Sequence, residues 1–556
     1  MLYLKVMCYT FVALVIFGLF KNYSPVPYWD MWDGALSFYE NVQEGKQSQW
    51  FAQHNEHRIF LSRLLFWIDF KLFGGSQHFL LIINFILLCL ISLLFIRISD
   101  DMFPETTDSK LKVKLRYFII IVIFSWLQRD NIIWAFQSQF FLTFLLPLLA
   151  FYSLAKYKLC LKNKYFIIAL ICGVLSAFSM ANGILAMPLL FLMGIYFKLE
   201  YSKLGILISC TIAVLAFYFD GYESVPNHGS LKDALLNHPF NFCKYLLTYL
   251  GSPFYYFFLK VSFIPPALFG VCLIVVSFIF TYRSFKHPSA NSIPMALLVF
   301  ILFFGGTAFA TAGGRSIFGV SQAITSRYLT PQLMAWLTII LLSLYYCRKS
   351  HPKICLTALL MIPLTLLPYQ VLELRKSRSS ELFSKELAAL ALEMNVKDKE
   401  RVSVVYPDTE RAMTIAEYPK KHNLSIFGHP KFKDINEKTG TELKQFPKDK
   451  IPGKINTFTE ISSEVYLVRG WIYNDLTNSA PLTVYIVNDK NIIVGYAITG
   501  RFSPLQEEVF GKSASHCAFT GYMKGPLLNS KLRLVVGNEQ AETEERSVGK
   551  FLNRSF

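Results

Sequence analysis

Two aspartates lie close together near the start of the chain, in residues 27–33 (PYWDMWD). Asp30 and Asp33 are three residues apart, so their carboxylates share one face if the segment is helical. A carboxylate beside a polar substrate can act as a general base, and two carboxylates can hold a divalent metal ion. The start of a solvated helix with aromatic anchors has the same composition, so the motif alone leaves a catalytic and a structural interpretation open.

A second polar cluster follows in residues 53–58 (QHNEHR), directly before an apolar stretch. His54, Glu56, His57 and Arg58 combine imidazole, carboxylate and guanidinium groups. Such a set can bind an anion, a sugar or a metal ion. Its order differs from the HExxH spacing of zinc proteases, so we do not expect a protease. The structural alternative is a helix start solvated by polar side chains.

Further polar residues stand beside apolar runs later in the chain. The candidates for binding a substrate are Arg129, Gln137, Asn182, Arg315, Arg327 and Tyr328. Arginine binds phosphate through paired hydrogen bonds, so Arg315 and Arg327 could hold a phosphate group. A lone arginine near a bilayer more often extends its charged end to water. Two arginines in one short loop, beside glycine and tyrosine, favour the functional interpretation.

The composition indicates that the elements carrying these residues lie in a lipid bilayer. Of the 556 residues 53% are hydrophobic and 17% are charged, against about 25% charged in soluble domains. The mean hydropathy is +0.38. Stretches of about 20 apolar residues cross a bilayer as helices. We predict eleven spans, near residues 4–20, 79–96, 117–127, 135–155, 165–180, 184–197, 204–219, 263–281, 292–312, 328–346 and 354–371.

Loop charge predicts the orientation of these spans. With the N-terminus in the cytoplasm, the short inward loops (97–116, 156–164, 198–203, 283–286 and 348–353) contain sixteen Lys and Arg residues. The short outward loops (127–134, 181–183 and 314–327) contain three. Basic residues accumulate on the cytoplasmic side, so the contrast predicts this orientation and an external C-terminus. Every candidate residue named above then lies in or beside an outward segment.

The net charge and the cysteine content disfavour a nucleic-acid-binding protein and a protein built on disulfides or cysteine-bound metal ions. The net charge is +17, but the basic residues gather in the predicted inward loops rather than along a nucleic-acid-binding fold, so no nucleic acid is expected as a partner. Ten cysteines occur without a CxxC pair or metal-ligand spacing. Here cysteine serves mainly as a small hydrophobic residue.

The composition changes after the last predicted span. Residues 373–400 resemble an amphipathic helix, and residues 465–472, 482–487, 492–498 and 532–536 alternate as strands do. We predict a transmembrane helical bundle over residues 1–372. An amphipathic helix and mixed linker follow over residues 373–457, and a small β-sandwich-like domain over residues 458–556.

The segments WDMWD, HNEHR, WAFQSQF, SMANG and SRYLTP together resemble the GT-C class of polytopic membrane glycosyltransferases. They also look like a group of bacterial membrane proteins related to O-antigen-modifying glucosyltransferases, and the resemblance covers roughly residues 1–372. GT-C enzymes have acidic residues in the first outward loop, where Asp30 and Asp33 lie. Those residues are separated by two others, unlike the adjacent acidic pairs of many members, so the resemblance does not indicate which is the base.

The resemblance implies an inverting transfer of a hexose from a polyprenyl-phosphate donor to a cell-envelope glycan such as O-antigen. The location implied is the outer face of a bacterial inner membrane. Asp30 or Asp33 would deprotonate the acceptor, and Arg315 and Arg327 would stabilise the leaving phosphate. His54, Glu56 and Arg58 would position sugar hydroxyls or the second substrate. Some relatives use a divalent metal and others do not, so metal dependence stays open.

Three alternatives remain beside this expectation. A transporter or flippase of lipid-linked sugars needs polar residues on both sides of the membrane midplane, whereas the candidates here cluster on one side. A polymerase or ligase would use an oligosaccharide donor. A scaffold for the C-terminal domain would leave the carboxylates without a role.

Overall fold

The computed structural model describes residues 1–103, 109–226, 229–257, 260–286, 291–347, 352–433, 435–443, 449–526, 531–536, 541–542 and 546–547. Parts of the predicted loops 97–116 and 348–353, and of the predicted domains 373–457 and 458–556, lie outside these residues. In chain order the α-helices are α1 (Leu2–Lys21), α2 (Phe38–Gln43), α3 (Phe60–Phe73), α4 (His78–Met102), α5 (Ser109–Ile123), α6 (Arg129–Ile133), α7 (Ser138–Cys160), α8 (Asn163–Ser176), α9 (Ala186–Tyr196), α10 (Tyr201–Phe219), α11 (Leu231–Leu236), α12 (Pro239–Leu250), α13 (Pro253–Phe257), α14 (Ile264–Lys286), α15 (Ile293–Arg315), α16 (Leu329–Cys347), α17 (Pro352–Arg375), α18 (Ser379–Glu393), α19 (Lys399–Val402), α20 (Thr409–Lys421), α21 (Ile435–Lys438) and α22 (Pro504–Phe510).

Short helical turns connect many of these helices. One is a π-helical turn, Trp32–Ser37. The 3₁₀ turns are Gln47–Trp50, Trp126–Gln128, Ala135–Gln137, Ala181–Leu185, Ser316–Phe318, Val320–Ile324, Ser326–Tyr328, Ser425–Gly428 and Lys512–Ala514.

The chain forms two compact units. The first unit contains residues 1–23, 46–66 and 78–376, and the second contains residues 24–45, 67–77 and 377–556. Each unit is therefore assembled from three separate pieces of sequence.

The first unit is a bundle of apolar helices with one continuous core. Aromatic and aliphatic side chains from α1, α4, α5, α7, α15 and α16 fill this core. A glycine sets the distance between α1 and the turn at Trp126. A Cβ atom on Gly18 would lie 2.2 Å from the Trp126 ring, so the ring packs directly on the helix backbone. Close packing of this kind fixes the helix ends, which carry the polar residues described below.

Seven helices in the described part of the chain are long and apolar enough to cross a membrane. They are Leu2–Lys21, His78–Met102, Ala135–Cys160, Tyr201–Phe219, Ile264–Lys286, Ile293–Phe318 and Ser326–Cys347. Three other predicted spans correspond to the shorter helices α5, α8 and α9. The last corresponds to α17, where several side chains lie outside the described residues. The predicted count of eleven is therefore not confirmed.

Two of the seven helices are covered by little protein. Only 22% of the most apolar 18-residue stretch of α10 is buried inside the protein, and the same share of the corresponding stretch of α14 is buried. Ile212 on α10 and Phe278 on α14 are more than half exposed. Exposed apolar surface of this length is stable in hydrocarbon but not in water, so the first unit is embedded in a lipid bilayer.

The second unit contains one curled, mainly antiparallel sheet. Its strands are β1 (Asp449–Lys450), β2 (Gly453–Ser462), β3 (Val465–Ile472), β4 (Thr483–Val487), β5 (Ile493–Arg501), β6 (Ala518–Lys524), β7 (Lys531–Val536), β8 (Ala541–Glu542) and β9 (Arg546–Ser547). The strand order is β1-β8-β7-β4-β5-β6-β3-β2, with β9 also paired to β7. In the central register Tyr485 of β4 faces Tyr496 of β5, and Tyr496 faces Tyr522 of β6.

The strands form one continuous curled sheet, whereas the predicted β-sandwich has two separate sheets, and a helix also packs against the curled sheet. Helix α18 packs against β5 and β6. Its apolar residues 387–392 are all buried. The sequence predicts α18 as an amphipathic helix leaving the membrane, and its apolar face in fact covers the sheet. Strand β4 is buried along its whole length, as a strand covered on both faces must be.

Candidate functional site

A tight turn in the first unit carries the histidines and the glutamate of the HNEHR segment. The backbone N–H of His54 donates to the carbonyl of His57 at 2.8 Å, and that of His57 donates back at 2.9 Å. Asn55 adopts the left-handed conformation that this turn requires, with φ +50°, which asparagine tolerates better than most residues. The turn therefore places Glu56 and His57 side by side.

Arg58 holds this turn against the end of α10. Its guanidinium donates to the carbonyls of Phe51 at 2.6 Å, Tyr218 at 2.9 Å and Asp220. The last two carbonyls lie at the C-terminus of α10, where a positive charge is favourable. The Tyr218 hydroxyl in turn donates to the carbonyl of Glu56 at 2.7 Å. Arg58 is 8% exposed, so its role in the structure is to position the turn.

Glu56 forms an ion pair with Arg315 at the end of α15. One guanidinium nitrogen lies 2.9 Å and 3.1 Å from the two carboxylate oxygens. The His57 Nε2 atom lies 3.9 Å from the same carboxylate. The backbone N–H of Ala181 donates to His57 Nδ1 at 3.2 Å. This contact assigns the proton of a neutral His57 ring to Nε2, the nitrogen nearer to Glu56. The side chains of Glu56 and Arg315 are about one-fifth exposed, at 23% and 21%, so solvent and a polar ligand can reach them.

Asn182 joins two apolar helices next to this pair. Its side-chain oxygen accepts from the Thr143 hydroxyl at 3.0 Å, and its amide donates to Thr307 at 3.3 Å. The following residue, Gly183, approaches α8 so closely that a Cβ atom would lie 1.8 Å from the carbonyl oxygen of Ser176. Only glycine allows that approach, so Gly183 fixes the position of Asn182.

Gln137 lies at the start of α7 and is 1% exposed. Its side-chain oxygen has no hydrogen-bond partner among the residues that the structure describes. A buried amide oxygen without a partner is costly and can accept a hydrogen bond from a ligand.

Arg327 and Tyr328 lie among tyrosines of α12. The Arg327 guanidinium is 5.2 Å from the Tyr328 ring centre, and the Tyr328 ring is 5.4 Å from that of Tyr249. Burial raises the pKa of the Tyr245 phenol, as do the neighbouring tyrosines, whereas the charges of Arg327 and Arg315 oppose this rise. Both arginines therefore act electrostatically on one phenol. The Tyr245 hydroxyl is buried, with no hydrogen-bond partner among the described residues.

The loop that carries Arg327 is tied to the turn that carries Arg129. The Ser326 hydroxyl accepts from the backbone N–H of Asp130 at 3.1 Å, and the amide of Asn131 donates to the Arg327 carbonyl at 2.7 Å. The Arg129 side chain itself pairs with Asp130 at 3.0 Å and approaches Glu373 to 3.7 Å. Arg129 thus belongs to a separate cluster of charges.

Asp30 and Asp33 lie in the second unit. The carboxylate of Asp33 accepts from the Tyr406 hydroxyl and from the Arg411 guanidinium, the latter at 3.3 Å and 3.4 Å. Burial raises the pKa of the Tyr406 phenol, and its bond to Asp33 raises it further. Asp33 is thus engaged by two donors.

Asp30 is half-buried and lies next to a strained residue. Trp29 adopts φ +49°, a conformation that costs a bulky residue free energy. Its backbone N–H donates to the carbonyl of Val405 at 2.7 Å, within the second unit. The Asp30 carboxylate has no hydrogen-bond or ion-pair partner in the part of the chain that the structure describes. It is therefore the more available of the two carboxylates.

The structure thus brings some of the predicted first-unit residues together and leaves others apart. Arg129 belongs to a separate cluster of charges, and Arg327 and Tyr328 lie among tyrosines of α12. Glu56, His57 and Arg315 meet at one point, and Asn182 follows the residue that binds His57. The sequence does not single out Tyr245, Glu373, Tyr406 or Arg411. A carboxylate just beyond an apolar span is a usable signal for Glu373, because such charges are usually paired or functional. The other three depend on contacts between distant segments.

No group of three or more His, Cys, Asp or Glu side chains in the described residues is arranged to hold a metal ion. Comparisons of the chain with protein-family models, curated proteins and solved structures give no match.

Proposed function

We propose that this protein is a membrane glycosyltransferase that moves a hexose from a polyprenyl-phosphate donor to a cell-envelope glycan, at the outer face of a bacterial inner membrane. The observation that carries the proposal is the cluster of Glu56, Arg315 and His57 at the ends of apolar helices. It combines a carboxylate, a guanidinium and an imidazole within hydrogen-bonding reach of solvent. Such a set recognises hydroxyls and phosphate together, which a lipid-linked sugar presents.

In the reaction that the resemblance to GT-C enzymes implies, Asp30 accepts the proton of an acceptor hydroxyl. The hydroxyl oxygen attacks the anomeric carbon and forms the new glycosidic bond. The bond between that carbon and the phosphate oxygen breaks, and the electron pair leaves with the polyprenyl phosphate. The configuration at the anomeric carbon inverts. Asp33 acts as a positioning residue, since Tyr406 and Arg411 already occupy its carboxylate.

Arg327 and Arg315 supply positive charge for the leaving phosphate, whose charge grows as the bond breaks. The buried Tyr245 hydroxyl, on which both arginine charges act, can donate to the same phosphate. Glu56 and His57 accept and donate hydrogen bonds to sugar hydroxyls, and the unpartnered oxygen of Gln137 can accept another. Arg58 supports the turn and does not itself need to contact the substrate.

The test is sugar transfer by the full chain in lipid vesicles containing a polyprenyl-phosphate hexose. Asp30→Asn removes the base without removing any contact in the described structure. We expect it to lower the transfer rate at least about a hundredfold, the low end of general-base contributions, while the melting temperature stays unchanged. Asp489→Asn, in an exposed turn of the same unit, is the matched control.

Full activity of Asp30→Asn would rule out this base assignment. Mass spectrometry of envelope glycans from cells with and without the gene then separates the classes of protein. Loss of a single hexose supports the transferase, whereas loss of whole repeats or chains would support a flippase or polymerase of lipid-linked sugars.

A further inference from the structure

A cluster of cations in the first unit surrounds one buried carboxylate. Glu373, near the end of α17, has a side chain that is 6% exposed. Its carboxylate lies 2.6 Å from the Lys376 ammonium, 3.1 Å from the Lys260 ammonium and 3.7 Å from the Arg129 guanidinium. Arg129 also pairs with Asp130. Three cations therefore share two carboxylates.

A fourth cation adds to the imbalance. The Lys21 ammonium, at the end of α1, donates to the carbonyls of Leu374 and Lys376. Its charge is stabilised by the C-terminus of α17, and no carboxylate among the described residues pairs with it. The cluster thus carries four positive charges and two negative ones, and the excess attracts an anion.

The reachable cations and the aromatic rings beside them form a suitable binding surface. The side chains of Lys260 and Lys376 are 41% and 58% exposed. The Lys260 ammonium lies 5.3 Å from the Tyr256 ring centre and 5.2 Å from that of Tyr369. Rings in these positions hold the lysine near the cluster. Tyrosine is also enriched at the depth of lipid headgroups.

Apolar surface adjoins this charge. Phe20, next to Lys21, is 81% exposed, and Phe17, one turn earlier in α1, is 56% exposed. An anion bound at the cluster therefore lies beside a lipid-facing helix surface. All four cations also fall in segments that the loop-charge pattern assigns to the outer face, where basic residues are disfavoured unless they have a partner.

We infer that this cluster, formed by Lys21, Arg129, Lys260, Lys376 and Glu373, binds the phosphate of an anionic lipid headgroup, whose net negative charge matches the excess of positive charge. The phosphate accepts hydrogen bonds from Lys260 and Lys376, and the acyl chains extend along α1. Glu373 competes with the phosphate for the lysines, which keeps the empty site neutral enough to be stable. The inference does not depend on the proposed transferase activity, because it concerns lipid binding alone.

Native mass spectrometry of the full chain in detergent tests the inference, with added phosphatidylglycerol, phosphatidylcholine or inorganic phosphate. The wild-type protein should bind phosphatidylglycerol in preference to phosphatidylcholine. The double variant Lys260→Gln/Lys376→Gln should bind phosphatidylglycerol about tenfold more weakly. Lys244→Gln, at an exposed lysine of the same unit, should bind it as the wild type does.

Glu373→Gln provides a second test in the opposite direction. Removal of the competing carboxylate should strengthen phosphatidylglycerol binding, whereas a purely structural cluster would only lose stability. Equal binding of the two lipids, or equal weakening in Lys244→Gln, would overturn the inference. If inorganic phosphate at equal concentration displaces the lipid, the site recognises free phosphate and the lipid assignment is wrong.

Discussion

The ion pair between Glu56 and Arg315 illustrates how single side chains fix the candidate site. The two residues are distant in sequence, and their side chains are mostly buried. Removal of one partner leaves the other charge mostly buried without this ion pair, which costs more than the pair itself contributes.

We predict that Arg315→Gln lowers the free energy of unfolding by about 2 kcal/mol and that Glu56→Gln/Arg315→Gln recovers part of that loss. Thermal unfolding of the full chain in detergent, measured for both single variants and the double variant, gives the coupling energy. Strictly additive effects would show that the pair does not form.

Asp69 gives a pH-dependent prediction in the second unit. The side chain lies near the end of α3 and is 1% exposed. One carboxylate oxygen accepts from the backbone N–H of Gln77 at 3.2 Å, and the other has no partner among the described residues. Burial raises the pKa of Asp69 from 3.8 to about 7, although the bond from Gln77 opposes the rise.

The folded protein therefore binds this proton more tightly than the unfolded chain. The contribution of Asp69 to the free energy of unfolding should be largest below pH 3.8 and fall as the pH rises to about 7. Asp69→Asn removes this loss, which is on the order of 4 kcal/mol at neutral pH. We expect a higher melting temperature for Asp69→Asn than for wild type at pH 8 and a much smaller difference at pH 5. Asp489→Asn should show neither effect, and a pH-independent shift for Asp69→Asn would contradict the assignment.

At the scale of elements, two glycines bring α12 and α14 into backbone contact. A Cβ atom on Gly251 would lie 2.0 Å from the carbonyl oxygen of Pro266, and one on Gly270 would lie 2.0 Å from that of Leu247. Helix α12 carries Tyr245 and Tyr249, so this contact also positions the tyrosines near Arg327.

We predict that Gly270→Ala separates the two helices and lowers the free energy of unfolding by about 1–3 kcal/mol. Gly305→Ala is the matched control, because a Cβ atom there meets nothing within 4 Å. Hydrogen exchange of α12 should increase in Gly270→Ala and stay unchanged in Gly305→Ala. Similar exchange in the two variants would show that the close approach is not required.

The elements also show how far the sequence predicts this structure. The length of the apolar stretches identified the seven long apolar helices, because a segment that spans a bilayer has to form all its backbone hydrogen bonds internally, as a helix does. It also predicted spans at the shorter apolar helices α8 and α9, and the count of eleven spans is not confirmed. Strand alternation identified β3, β4, β5 and β7, but it did not predict that they belong to one curled sheet or that α18 packs against β5 and β6.

The candidate site was likewise predicted only in part from the sequence. Residue type and proximity to apolar runs were enough to select Glu56, Arg315 and Asn182. They could not select Tyr245 or Tyr406, because their relevance comes from contacts with residues far away in sequence. The engagement of Asp33 by Tyr406 and Arg411 is likewise a property of the folded chain.

At the scale of the whole molecule, the orientation in the membrane remains a prediction that two native cysteines can test. Cys243 on α12 and Cys160 at the end of α7 are both exposed. Loop charge assigns the first to the outer face and the second to the cytoplasm. In spheroplasts, a membrane-impermeant maleimide should lose labelling in Cys243→Ser and keep it in Cys160→Ser. The reverse pattern would invert the orientation.

The second unit is built from residues 24–45, 67–77 and 377–556, and this has a consequence for biosynthesis. Its first two pieces leave the ribosome some three hundred residues before the third, which supplies Val405, Arg411 and the whole sheet. During that interval Trp29 lacks the carbonyl that holds its strained backbone, and Asp33 lacks both donors. The segment that contains Asp30 and Asp33 therefore reaches its folded conformation only after the residues that contact it in the third piece have been translated. Any activity that depends on Asp30 is therefore absent until translation of the chain is nearly complete.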